Sequence, residues 1–207
     1  VGAPFAIRLC ESRDLPRVTA LTNHNIVVNP AHFGTEPESE DETREHWTTR
    51  REHYPWLIAE ETEHADSDSW GGFLAFARAT PWKPRQAYRW TAEVAIYVRP
   101  EAHRRGVATA LYRTLFDLLG RQGYLVLLGG VVTPNPASER LHEKMGMTTV
   151  GEIAPAGFKL GAWRTVRYYQ KHLAPLDHAA PPTEPRVVAE ALELGGRSFD
   201  FTAHIPD

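Results

Sequence analysis

Residues 93–146 hold most of the side chains whose types and spacing could do chemistry. Glu93 stands in an apolar run with Ala92, Val94 and Ala95 around it. A carboxylate in such a strand has two readings. Poor hydration raises its pKa toward values useful to a general base, or it faces water from an edge strand. A basic turn at residues 101–106 follows, and a helix is expected from Val107. The first N–H groups of a helix lack intrahelical partners, and its dipole places partial positive charge there. Such a turn suits phosphate, with Gly106 allowing close backbone approach and Arg104 and Arg105 adding charge. The single glycine matches neither the dinucleotide fingerprint nor the Walker loop. On the residues alone, a phosphate-bearing ligand and a plain strand–helix turn both stay open. Upstream, residues 81–90 are basic and aromatic. There Lys83, Arg85 and Tyr88 could meet an anionic group, or else the loop packs as ordinary structure, with Trp82 and Trp90 over the core.

These side chains need elements to carry them. Residues 5–9 read as a strand, and Asp14 as the cap of a helix bearing Leu15, Val18, Leu21 and Ile26. A polar loop over 30–41 precedes an amphipathic helix over 42–54, stopped by Pro55. Strands are predicted at 56–60 and 72–78, joined by a polar turn over 63–69, and again at 92–98. Val107, Leu111, Leu115, Leu118 and Leu119 give residues 107–121 one apolar helical face, ended by Gly123. A buried strand over 125–132, a helix over 137–145 stopped by Gly146, and strands near 148–153 and 164–171 complete the order. That order implies an α/β or α+β layer fold. Residues 1–173 read as one domain. After Leu173 a proline-rich linker leads into an extension, 174–207, in which alternating Phe199, Phe201 and Ala203 suit a strand added to a neighbouring sheet or subunit.

Composition narrows the classes. The 207 residues carry 23 Lys plus Arg against 26 Asp plus Glu, a net charge of −3 that argues against a nucleic-acid binder. The longest apolar stretch, 124–132, is too short to span a bilayer and contains two glycines. The start of the chain lacks the basic region and long apolar run of a signal peptide, so a cytoplasmic protein without a membrane partner is expected. Cys10 is the sole cysteine, read as an inert thiol, and no metal site is expected.

Longer motifs bring a resemblance. His103-Arg104-Arg105-Gly106-Val107-Ala108 resembles the Gln/Arg-x-x-Gly-x-Gly/Ala pyrophosphate loop of the GNAT superfamily of N-acetyltransferases, with His103 where Gln or Arg is usual. Asn135, Leu141, Gly146 and Met147 fall at the spacing of a second superfamily segment. Tyr54-Pro55-Trp56-Leu57, the run from Pro81 to Glu93, Leu141-His142-Glu143 and Gly157-Phe158-Lys159-x-Gly161-x-Trp163 look like phosphinothricin N-acetyltransferases over residues 5–173.

The resemblance implies a mixed sheet of about seven strands flanked by helices, and acetyl-CoA as co-substrate. It implies Glu93 as general base toward a small amino-acid-like amine, with a backbone N–H near Ile96 or Tyr97 stabilising the oxyanion. Backbone of Ile96, Tyr97 and Val98 would pair with the pantetheine arm. Arg104, Arg105, Gly106, Val107, Ala108 and Thr109 would cradle the pyrophosphate, although Arg105 also reads as a solvated loop charge. Asn135 would bind the arm, or is a turn residue between Pro134 and Pro136. His142 would donate a proton to the leaving thiolate, bind the substrate's acidic group or line the pocket. Tyr112 is the alternative acid, or core. Phe33, Lys83, Arg85, Tyr88 and His142 would contact substrate, while Gly34 stands where the nearest relatives carry a charge. A homodimer is expected. Competing readings keep the fold but acetylate a protein N-terminus or a polyamine, the latter disfavoured by Lys83 and Arg85, or make the chain an idle acyl-CoA-binding module.

Overall fold

The computed structural model describes residues 4–63, 70–177 and 179–205. Residues 1–3 and 64–69, which carry the sequence start and most of the expected polar turn, lie outside the described residues. Seven strands form one sheet: β1 (Phe5–Leu9), β2 (Trp56–Glu61), β3 (Phe73–Pro81), β4 (Thr91–Val98), β5 (Val126–Thr133), β6 (Thr148–Lys159) and β7 (Ala162–His172). Their spatial order is β1-β2-β3-β4-β5-β7-β6. All neighbours run antiparallel except β4 and β5. The helices are α1 (Leu15–Val28), α2 (Glu40–Thr48), α3 (Val107–Gln122), α4 (Pro136–Lys144) and a short α5 (Val188–Leu192).

Strand alternation sorts side chains to two faces. Ala75, Ala77 and Ala79 of β3 stand opposite Val98, Ile96 and Val94 of β4, and this small-residue face packs against α3. Phe76 and Arg78 stand opposite Tyr97 and Ala95 on the other face, where Leu15, Val18 and Leu21 of α1 close the core. The predicted apolar stripe of α3 is real: Val107, Leu111, Leu115, Leu118 and Leu119 are all at most 1% exposed. Each contributes about 1.5–3 kcal/mol on burial. Gly123 ends α3 with φ +97°, a left-handed stop that costs glycine nothing.

Several expectations need correction. Asp14 does not cap α1; its backbone is already helical and its carboxylate is taken by the Arg8 guanidinium at 2.6 and 2.8 Å and by the Glu11 N–H at 2.8 Å. The expected 42–54 helix is α2, starting two residues earlier and ending at Thr48. Ser39 caps it by accepting from Glu42 N–H, and Glu42 returns a carboxylate to Ser39 N–H, so the start was written as Ser-x-x-Glu. The strand expected near 148–153 runs on to Lys159 and forms a long hairpin with β7. Residues 198–203 form no strand: Phe199 and Phe201 meet edge to face and pack together against the domain's own core, with the Arg121 guanidinium over the Phe199 ring. The extension folds back along α3. Val188 N–H donates to Glu52 O, Gln122 Nε2 donates to both His53 O and Arg186 O, and Trp90 Nε1 donates to Thr183 O.

Arg8 ties the first strand to the rest through Asp14 and Glu60, the Glu60 contacts being 2.7 and 2.8 Å. Burial favours the neutral acid at Asp14, but the Arg8 hydrogen bonds and the Glu11 N–H outweigh it and hold the carboxyl below its usual range. Arg8→Met should therefore cost about 3 kcal/mol in chemical denaturation at neutral pH, because it strands a buried carboxylate. The lowered folded pKa means this stabilisation is present above the unfolded value and is lost as pH falls through the folded one. The gap between wild type and variant should narrow once pH drops below about 4.

Candidate active site

The sheet is forked at its centre. Pairing of β4 with β5 covers only Thr91–Glu93 against Val126–Leu128. Past that point β4 continues on β3 and β5 on β7. A parallel pair that parts in this way leaves alternate N–H and C=O groups of residues 94–98 facing a cleft, ready to pair with an extended ligand. The backbone of Ile96, Tyr97 and Val98 lines that side.

Glu93 is the last residue of β4 before the fork, on the Phe76 and Tyr97 face. Its carboxyl is raised above the usual glutamate value by burial, with the charges of Lys83 and Arg78 pulling the other way. Gly130 of β5 keeps the space beside it open: a Cβ there would lie 3.9 Å from Glu93 Oε1 and 3.5 Å from the Tyr168 ring. Tyr168 meets Trp82 edge to face, and the Lys83 ammonium sits 4.7 Å above the Trp82 ring. Lys83, Arg85 and Tyr88 of the basic aromatic loop are all exposed; the Lys83 charge acts on Glu93, while Arg85 and Tyr88 lie at a 3-10 turn, Gln86–Tyr88.

The turn before α3 has the conformation expected of an anion cradle. Arg104 and Gly106 are left-handed, with φ +63° and +83°, and no side chain caps the helix start. Val107, Ala108 and Thr109 form its first turn. Arg105, expected to add charge to this turn, instead donates to Glu61 at 2.8 Å, tying the turn to the end of β2. Asn135 caps α4: its Oδ1 accepts from Ser138 N–H at 3.2 Å, and its own N–H donates to Glu139 Oε1 at 2.8 Å.

His142 and Tyr112 lie on the opposite, α3 face of the sheet from Glu93. The His142 ring is buried against Tyr112 and Tyr169, with centroids at 5.6 and 5.2 Å. Its Nδ1 lies 2.8 Å from Ser138 O, so Nδ1 carries the proton and the neutral ring presents a bare Nε2 toward Gly129. Burial lowers its pKa, against the Ser138 bond, so the ring stays uncharged. The neutral ring thus faces Gly129, on the opposite face of the sheet from Lys83 and Glu93. Burial raises the Tyr112 phenol, and the nearby Tyr97 and Glu93 add to the shift, so it remains a protonated O–H. Phe33 packs on Gly157 of β6, where a Cβ would meet its ring at 3.0 Å. The adjacent loop is pinned by buried Lys159, which donates to Ile26 O at 2.6 Å and to Gly34 O.

Three participants were not singled out from sequence. Gly129 and Gly130 serve by lacking side chains, a signal hidden in an apolar run. Arg78 is a lone charge in the otherwise apolar β3, the same signal that drew attention to Glu93. Among the described residues no cluster of three His, Cys, Asp or Glu side chains is arranged to hold a metal ion.

Residues 19–147 match the acetyltransferase (GNAT) family. The chain is 33% identical over 187 residues to a phosphinothricin N-acetyltransferase of Streptomyces viridochromogenes, covering 90% of this chain and 96% of the relative. It is 29% identical to an L-methionine sulfoximine/L-methionine sulfone acetyltransferase of Salmonella typhimurium, covering 86% and 98%. A crystal structure of a GNAT superfamily phosphinothricin acetyltransferase from Sinorhizobium meliloti, in complex with acetyl-CoA, superposes with TM-score 0.78 at 27% identity, covering 88% of this chain and 95% of that one.

The two glycines make a paired test of this packing. A Cβ at Gly129 would fall 2.7 Å from His142 Nε2, whereas one at Gly130 has nothing nearer than 3.5 Å. Gly129→Ala should lower unfolding free energy by about 1–3 kcal/mol in denaturant titration, as overpacking does. Gly130→Ala should stay within about 0.5 kcal/mol of wild type.

Proposed function

The chain belongs to the acetyltransferase (GNAT) family, and on that premise we propose that it moves an acetyl group from acetyl-CoA to the free amine of phosphinothricin, methionine sulfoximine or a similar amino acid. The observation that carries this reading is Glu93, a desolvated carboxyl at the point where β4 and β5 part. The forked backbone and the uncapped α3 start fit acetyl-CoA, whose extended arm needs strand-like partners and whose pyrophosphate needs N–H donors. Acetyl-CoA supplies the acetyl thioester, and the protein supplies positions and protons.

In this mechanism Glu93 takes a proton from the substrate ammonium, freeing the lone pair that attacks. The N–H of Ile96 or Tyr97 donates to the carbonyl oxygen as it gains charge. The arm pairs along residues 96–98, Arg104 and residues 106–109 hold the pyrophosphate, and Asn135 hydrogen-bonds the arm through its amide nitrogen. Arg105 acts through Glu61, setting the turn rather than neutralising phosphate. As the C–N bond forms and the C–S bond breaks, the leaving sulfur accepts a hydrogen bond from Tyr112 and is neutralised by the second proton that the nitrogen sheds, since His142 would have to acquire a charge that its burial opposes. Lys83, helped by Arg85, Tyr88 and Phe33, receives the substrate's acidic group. Residues 1–173 carry this chemistry and 174–207 brace it. The setting is cytoplasmic; no described helix is long and apolar enough to cross a membrane.

The homodimer belongs to the same reading. β6 is an edge strand, and Val150, Ile153, Phe158, Leu160 and Trp163 of its hairpin with β7 are each more than half exposed. A long apolar edge calls for a partner, here a second copy. Ile153→Lys with Trp163→Glu should convert a dimer to a monomer in analytical ultracentrifugation, and a wild-type monomer would remove the dimer.

The catalytic assignment is tested on Glu93. Glu93→Gln should lose at least about 100-fold in turnover, the usual worth of a general base. Calorimetry should show CoA binding retained. The acid limb of kcat/KM in wild type should lie above the ordinary glutamate value, because the carboxylate form is needed and burial raises its pKa. Normal turnover by Glu93→Gln would remove this residue from the mechanism, and CoA binding without transfer to any amine would leave the idle-module reading.

A further inference from the structure

A pocket of about 300 Å³ opens on the Glu93 face of the sheet, walled by Glu38, His46, Arg50, Trp56, Arg78 and Thr80 among others. Thr80 is the register partner of Glu93, so the pocket begins one strand spacing, about 5 Å, from the base. Its volume has ample room for a short amino-acid side chain.

Two guanidinium groups share its wall, those of Arg50 and Arg78. Arg8, Arg99, Arg105 and Arg167 each hold a carboxylate. Arg50 and Arg78 make no ion pair among the described residues, though both line the pocket. Arg78 is instead fixed by aromatic faces, its guanidinium carbon 5.2 Å from the Trp56 ring centre and 5.9 Å from that of Tyr97. Ring contact on the flat side, with one hydrogen bond given to the Tyr97 hydroxyl, leaves the remaining N–H groups of the fork for an anion. Trp56 also walls the pocket, and its buried Nε1 has no hydrogen-bond partner.

From this juxtaposition we infer that the pocket takes the side-chain end of the amino-acid acceptor, and that Arg78 selects ends that are anionic, such as phosphinate, phosphonate or carboxylate, over neutral sulfones. The inference rests on the proposed transfer reaction, because it needs the acceptor amine at Glu93. Lys83 and Arg78 then divide the work on either side of the base. Lys83 meets the α-carboxylate, and Arg78 offers two parallel N–H donors to the distal oxyanion. A neutral sulfone of the same shape accepts hydrogen bonds but forgoes the charge.

Steady-state kinetics at saturating acetyl-CoA, with phosphinothricin and methionine sulfone as acceptors, test it. Wild type should favour phosphinothricin. In Arg78→Met the ratio of the two kcat/KM values should fall at least 30-fold, through a higher KM for phosphinothricin more than a lower kcat. Arg78→Lys, which keeps the charge and the stem but not the fork, should fall about fivefold, and it serves alone if Arg78→Met does not fold. A ratio within twofold of wild type in Arg78→Lys and within threefold in Arg78→Met, or equal losses on both acceptors, overturns the inference while leaving the transfer reaction standing. A wild type that acetylates neither amino acid overturns the transfer reading itself, visible before any variant is compared.

Discussion

Where β4 and β5 separate, a sheet is obliged to leave backbone polar groups inside itself without strand partners. Everything else in the molecule is arranged around that obligation. β5 keeps its other side fully paired, from Val126 with His172 to Thr133 with Thr165, so the parting opens a cleft without loosening the sheet. α3 starts at the mouth of this cleft from a turn held by Arg105 and Glu61. Glu93 stands at its closed end. A ligand that is extended, rich in amide groups and ended by phosphate satisfies all three features at once, and acetyl-CoA has that constitution.

The two faces of the fork differ in their electrostatics. The α3 face is apolar around neutral His142 and the protonated phenol of Tyr112. The other face holds Glu93, Lys83, Arg78 and, farther out, Arg50 and His46. In the proposed reaction, proton abstraction and recognition of an acidic substrate would share one side, and the leaving sulfur would be met from the other. This division explains why a histidine and a glutamate only one β5 residue apart in their contacts, at Gly129 and Gly130, take unrelated parts.

The sequence made some of this legible and hid the rest, for identifiable reasons. The α3 stripe, the glycine stop and the basic turn are local patterns, and each appears where periodicity and turn chemistry put it. α2 was misplaced because its apolar residues are few; the Ser39-x-x-Glu42 box was the better signal. Asp14 had the right type for a cap, but a guanidinium 6 residues away bound it more strongly than a helix end could. The Arg78 pocket draws on α2, β2 and β3 and the loop before α2, so spacing along the chain carries no trace of it. The extension shows the same limit. Alternating aromatics suggested a strand, yet the Arg121 side chain and the open end of the core supplied a site for Phe199 first.

Because side chains alternate along a strand, the position of the fork also constrains how the gene can change length. Glu93 lies on the Arg78 face only because it sits at an odd step from Ala92 and Val94, which face α3. One residue added to β4 between its start and the fork would carry the carboxylate through to the α3 side, beside Tyr112, and bring an alanine or valine to its place. Insertions and deletions are therefore expected to gather in the connections, such as the one between β2 and β3, and to be absent from residues 91–98. The lengths of β4 and β5 up to the fork act as a ruler, and the identity of most residues along them matters less than their count.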